Sequence, residues 1–232
     1  MIKRLVLFLV LLFCASLSAS HKVYILHGYG GFATQMINIQ EAMNENGNVS
    51  EIFSYRSMAM DIDSISKILF DKIKTENYDS ISFVTHSMGG LVVRSLYNHL
   101  VSSVNFPFIY RFVMIAPPNK GSPVADYFAK FKLARKIGGP NLLNLTTHKE
   151  DGAAKYPIPN CEVGLIVGIS DKKSGYTSLI EGDNDGMVQS EQTKLGIEQD
   201  VIYVKSTHMN ILFHDDVQKF VANFIRNGRF HQ

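Results

Sequence analysis

Ten residues near the middle of the chain, Ile81-Ser-Phe-Val-Thr-His-Ser-Met-Gly-Gly90, constrain the fold more than any other stretch. An apolar, β-branched run enters a serine-centred turn and leaves it through residues that fit a helix as far as Leu100. A backbone passes from strand to helix that abruptly only through a strained bend flanked by small residues, and the bend holds its central side chain exposed at the tip. Ser87 is therefore read as a nucleophile rather than as a plain helix N-cap. Gly89 supplies the small residue two positions after it, while Thr85 stands two positions before, where a glycine is usual.

The rest of the chain repeats this alternation. Runs at Val23–Leu26, Val49–Phe53, Ile81–Val84, Phe108–Ile115, Val163–Val167 and Val201–Val204 read as strands. Between them Met36, Ile39 and Met43, then Ile62, Ile65, Leu69 and Ile73, recur at helical spacing. A last helix carries Val217, Phe220, Val221, Phe224 and Ile225, with Asp215 and Asp216 at its start and Gly228 past its end. The pattern predicts an α/β fold, a mainly parallel sheet with helices on both faces. At 232 residues and 46% hydrophobic, one domain over 21–232 is expected. One stretch breaks the rhythm: from Pro117 to Pro159 no strand is evident, so residues 117–160 are read as a cap-like insertion. Within it Phe128, Phe131, Ala134 and Ile137 would share one helical face, with Lys130, Lys132, Arg135 and Lys136 elsewhere. Such a helix would suit an apolar pocket or a lipid surface, and an ordinary half-buried helix is the plain alternative.

Residues 1–20 have a basic start, an apolar run from Leu5 to Ala15 and small residues up to Ser20, the build of a cleavable signal peptide. Export to the periplasm or the medium is expected, with an uncleaved membrane anchor as the alternative. The Leu-Leu-Phe before Cys14 does not suit a lipoprotein box. Without Lys3 and Arg4 the chain carries 21 cations and 21 acids, a balance over the whole chain that gives no reason to expect nucleic acid or an acidic membrane surface as partner. Cys161 has no second cysteine in that mature chain, which excludes a disulfide scaffold and a cysteine-rich zinc site.

Ser87 needs an oxyanion site, a base and an acid. The glycine-rich Val23-Tyr-Ile-Leu-His-Gly-Tyr-Gly-Gly31 follows a strand, but Gly28, Gly30 and Gly31 do not make a dinucleotide fingerprint. With Ser87 in place, the backbone amides of Tyr29 and Met88 are the expected oxyanion donors, Gly28, Gly30 and Gly89 the structural glycines, and His27 a structural neighbour. His99, His148, His208, His214 and His231 follow Ser87, and His208, just past a strand, has the position of a base. Asp185, followed by Gly186 and an apolar pair leading into a helix, is preferred as acid, with Asp171 and Asp183 as alternatives. The same acidic cluster lacks the later ligands of a calcium loop. No metal or organic cofactor is expected.

The ordered set of His-Gly-Tyr-Gly-Gly, Thr-His-Ser-Met-Gly-Gly, Ala-Pro-Pro-Asn-Lys-Gly-Ser, Asn-Asp-Gly-Met-Val and late His208 resembles the α/β-hydrolase superfamily, in particular small bacterial lipase-like serine hydrolases. The resemblance spans nearly the whole chain after the leader. It implies a nucleophile at Ser87, an acid at Asp185, a base at His208 and an oxyanion amide at Tyr29. It implies hydrolysis of small-molecule or lipid esters, and leaves acyltransferase or thioesterase activity, or a non-catalytic binding role on the same fold, as alternatives.

Overall fold

The computed structural model describes residues 20–101, 103–170, 172 and 175–231. The leader up to residue 19 and the alternative acid Asp171 lie outside the described residues. The six strands fall where the apolar runs predict: β1 (His21–Leu26), β2 (Val49–Phe53), β3 (Ser80–His86), β4 (Phe108–Ile115), β5 (Glu162–Ile169) and β6 (Asp200–Lys205). All pair parallel in one sheet of order β2-β1-β3-β4-β5-β6. The chain steps outward from β1 to β2, then returns to the other side of β1 at β3. Ligands bind such sheets where the order reverses, outside the carboxyl ends of the strands. Here that crevice lies beyond Leu26 of β1 and His86 of β3.

Period two along each strand sends alternate residues to opposite faces. Tyr24, Leu26, Phe83, Phe112 and Leu165 face one core, beneath α2 (Ile62–Thr75) and α3 (Gly89–Leu100). Val23, Ile25, Val84, Val113 and Ile166 face the other, beneath α1 (Ile37–Glu45) and α7 (Asp215–Asn227). Between them run α4 (Pro123–Ala129), α5 (Lys132–Gly138) and the single turn α6 (Asn141–Asn144). Gly164 in β5 marks a close approach, since a Cβ there would sit 2.7 Å from the Phe224 ring of α7.

Two expectations about helices are corrected. The stretch from Tyr127 to Ile137 is not one helix: α4 tightens to i→i−3 bonds at Lys130 and Phe131, and α5 begins after Phe131 in extended conformation. At this break the ring of Tyr127 packs edge-on against both Phe128 and Phe131, forming an aromatic corner. No α-helix follows Asp185 either; among the described residues only the 3-10 turn Ser190–Thr193 lies between β5 and β6. Gly186 and Gly196 both have positive φ, and the Glu198 carboxylate takes the amides of Leu195 and Gly196 before a helix can form.

The insertion is held by one buried cation. Arg94 of α3, 1% exposed, donates Nη1 to the carbonyl of Asn119 at 2.8 Å, Nε to that of Pro157 at 2.9 Å and Nη2 to that of Tyr156. Its guanidinium thus joins the beginning of the insertion to its end through neutral acceptors. Burial pulls its pKa down to about 10, still charged at neutral pH. Replacing Arg94 with Met should strand these carbonyls and lower unfolding free energy by on the order of 3 kcal/mol in chemical denaturation. Lys should not rescue it, because an ammonium lacks the planar fork that spans three acceptors.

Candidate active site

Ser87 occupies the bend between β3 and α3 with φ of 51°, a left-handed conformation that a serine adopts only when its surroundings enforce it. Its amide donates to the Ile115 carbonyl at 2.9 Å and its carbonyl accepts from Gly90 at 3.0 Å, so both sides of the bend are tied. The close neighbours explain the glycines. A Cβ at Gly28 would sit 2.9 Å from the Ser87 Cβ, and one at Gly89 only 2.8 Å from the His27 carbonyl. Thr85 fits before the bend because its side chain has room there. Even a Cβ built on Gly90 would clear the Thr85 hydroxyl by 3.5 Å.

His208 comes from the loop after β6 and Asp185 from the loop after β5. The Ser87 Oγ lies 2.9 Å from His208 Nε2, and His208 Nδ1 lies 2.7 Å from Asp185 Oδ2. With Nδ1–H donating to the carboxylate, Nε2 is left as the acceptor for the serine hydroxyl. Asp185 is itself held: its Oδ1 takes the amides of Met187 and Val188 at 2.9 and 2.7 Å, and its carbonyl takes the His208 amide at 2.8 Å. All three side chains are nearly buried. A serine, imidazole and carboxylate in this geometry can pass a proton from hydroxyl to ring while the carboxylate stabilises the cation.

The glycine-rich loop after β1, the expected source of an oxyanion amide, packs against the bend and is anchored from several sides. Gly30, with φ of 66°, donates its amide to Ser57 Oγ at 3.0 Å, and the Tyr29 hydroxyl donates to the Gly138 carbonyl at 2.6 Å. Among the described residues neither the Tyr29 nor the Met88 amide has a hydrogen-bond partner. His27 stacks on Tyr55, with ring centroids 4.1 Å apart, and takes no part in the serine-centred chain of hydrogen bonds.

The other candidates are elsewhere. Asp183 accepts the Ser170 amide at 2.8 Å, His214 is paired with Ser206, His99 packs on Phe70, His231 packs on Phe220, and His148 lies beside Asp151. Two residues without a role in the sequence reading belong to the site. His86 donates Nε2–H to the His208 carbonyl at 2.9 Å. Burial first, and the neighbouring His208 ring second, push its pKa down to about 3, so it stays neutral. Gly168 of β5 leaves room for the acid, since a Cβ there would lie 2.8 Å from the Asp185 Cβ. An isolated glycine inside a strand is the sequence sign of such an approach.

Ser87 and His208 open onto a cavity of about 440 Å³, walled by Val124, Phe128, Ile137, Leu142, Leu145 and Val188. The insertion therefore does roof an apolar space. Phe131 is the exception: it was expected on the inner face, but lies outside the cavity and is half-exposed because the bend turns it away.

Solved structures share this architecture. An extracellular α/β-hydrolase from a Paenibacillus species superposes with a TM-score of 0.54 at 15% identity, covering 90% of this chain and 98% of that one. The chain has the α/β-hydrolase fold. A metagenomic carboxyl esterase matches at TM-score 0.59 and 15% identity, over 82% of this chain and 65% of its own length. The type II thioesterase BorB from the borrelidin biosynthetic cluster matches at TM-score 0.53 and 14% identity, over 91% and 93%. No protein-family model and no curated protein matches the sequence. At these identities the likeness is one of fold.

Gly168→Ala should displace Asp185 by a few tenths of an ångström or more while leaving the core intact. The rate of Ser87 labelling by a fluorophosphonate should fall on the order of tenfold to a hundredfold. An unchanged rate with unchanged thermal stability would show that Asp185 placement does not govern Ser87 reactivity.

Proposed function

We propose that the protein is an exported serine hydrolase that cleaves carboxylic esters with an apolar acyl group. The observation that carries this reading is the Ser87–His208–Asp185 hydrogen-bonded chain at the floor of an apolar cavity. As Ser87 Oγ attacks the acyl carbon, His208 Nε2 takes its proton and Asp185 Oδ2 stabilises the imidazolium. The Tyr29 and Met88 amides receive the oxyanion. Collapse breaks the ester bond, and His208 returns the proton to the departing alcohol. A water, deprotonated by the same ring, then attacks the acyl-enzyme and releases the acid with Ser87 restored. Export follows from the leader-like residues 1–20. The cavity, at about 440 Å³, falls within the size range of small-molecule sites.

A thioester is the second substrate class. The fold's occurrence in a thioesterase favours it, because the same acyl-enzyme serves either leaving group.

Ser87→Ala should abolish fluorophosphonate labelling and lower ester turnover by up to about 10⁶-fold, as loss of a serine nucleophile does elsewhere. Retention of a tenth of the wild-type rate would remove Ser87 from the mechanism. Across p-nitrophenyl esters, kcat/KM should rise by up to about fourfold per added methylene until the cavity is full, the equivalent of about 0.8 kcal/mol each. Phe128→Asp should depress octanoate turnover more than acetate turnover. Equal losses, or a wild-type preference for acetate, would overturn the apolar-acyl assignment. Higher kcat/KM for an octanoyl thioester than for the matched oxygen ester would favour the thioesterase reading.

A further inference from the structure

The insertion concentrates charge and exposed apolar surface in one place. Residues 117–160 contain seven cations, Lys120, Lys130, Lys132, Arg135, Lys136, Lys149 and Lys155, and three acids, Asp126, Glu150 and Asp151. The rest of the chain from residue 21 has the opposite balance, fourteen cations to eighteen acids. Asp126 does not neutralise its neighbours, because its carboxylate takes the Thr147 amide at 2.9 Å and the Thr147 hydroxyl at 2.7 Å. Among the described residues Lys130, Lys132, Arg135 and Lys136 have no carboxylate partner, and Lys130, Lys132, Arg135 and Lys136 are all exposed.

Large apolar side chains stand among these cations. Leu133 and Ile137, one helical turn apart on α5, are 69% and 66% exposed, and Tyr127, Phe128 and Phe131 at the aromatic corner are half-exposed. Exposed leucine, isoleucine and three aromatics on neighbouring turns exceed what scattered surface residues account for. The patch also meets the cavity mouth: Phe128 and Ile137 line the cavity from within, and Met58, Met187 and Met209 add half-exposed apolar side chains to its wall.

We propose that α5 and the aromatic corner before it form a docking face for an anionic lipid bilayer. Leu133, Phe131 and Tyr127 would enter the headgroup boundary while Lys130, Lys132, Arg135 and Lys136 meet lipid phosphates. The charge decides the occupant. An apolar face alone suits many partners, but apolar side chains interleaved with unpaired cations match the layered chemistry of an anionic membrane surface. Among the described residues no helix is long and apolar enough to span a bilayer, so the contact is peripheral. Docking there sets the cavity mouth against the lipid, and its value for turnover rests on the hydrolase reading. The docking itself does not.

The chain contains no tryptophan, which permits a local test in the full-length protein. Leu133→Trp introduces a single indole at the centre of the patch, outside the cavity and the hydrogen-bonded chain. Vesicles of phosphatidylcholine with one-third phosphatidylglycerol should shift its emission to the blue, and brominated acyl chains should quench it. Pure phosphatidylcholine vesicles should do so at least about tenfold more weakly. Adding Lys132→Gln, Arg135→Gln and Lys136→Gln should weaken binding to the anionic vesicles by about a hundredfold, from about fivefold per cation. Thermal unfolding should be unchanged, since none of these side chains is buried. No blue shift with anionic vesicles, equal response to neutral ones, or undiminished binding of the charge variant would each overturn the proposal. If the indole reports insertion while neither the wild-type protein nor Ser87→Ala turns over esters or thioesters, docking stands and the hydrolase reading falls.

Discussion

The contact between Gly28 and Ser87 is where the rest of the structure converges. The left-handed serine is strained by on the order of 1–3 kcal/mol, so packing must over-determine the bend. The Ile115 carbonyl holds its amide, the β1 loop lies against its Cβ, and Gly89 lets α3 reach back to the end of β1. Parallel pairing of β1 and β3 brings these pieces to one level, with Leu26 opposite Thr85. The core beneath is apolar on both faces, and the polar groups of the site stand at the carboxyl edge of the sheet.

A second layer of constraint acts through the backbone of the two later loops. His208 is oriented by its ring bond to Asp185, and its main chain is held as well, by the Asp185 carbonyl on one side and His86 on the other. His86 is neutral and buried, so it holds that carbonyl without adding charge beside the imidazole. Gly168 completes the arrangement by making room for Asp185. His208 and Asp185 are therefore placed by three strands at once, and their geometry depends on the sheet's register more than on either loop alone.

The insertion is joined to this frame at a few strong points. Arg94 ties its two ends to α3, Ser122 donates to the Met187 carbonyl at 2.5 Å, and the Tyr29 hydroxyl reaches Gly138. The last two contacts link the roof of the cavity to the loop after β5 that carries Asp185 and to the glycine-rich loop after β1. A movement of α4 or α5 would be felt at both.

The six strands, the two amphipathic helices over each face and the serine bend were legible in the sequence, because each follows from local periodicity or from a turn that few residue combinations satisfy. Ser87 and His208 could be chosen from order along the chain, and Asp185 could be preferred to Asp183. Distance decided what order could not: Asp183 points at the Ser170 amide, two residues of sequence from Asp185 but on the other side of the loop. The break between α4 and α5 was invisible to periodicity, since Phe128, Phe131, Ala134 and Ile137 keep helical spacing on paper. The last turn of α4 closes on i→i−3 bonds and Phe131 takes extended backbone, which sends its side chain outward. The absence of a helix after Asp185 likewise follows from two left-handed glycines and a carboxylate that captures local amides. What the sequence by itself determined was the alternation of elements and the chemistry available at their ends, because those depend on neighbours in the chain. Which of those groups meet was decided by the tertiary structure, because residues 121 and 23 positions apart come within hydrogen-bond reach only once the strands are paired and the two apolar faces are buried.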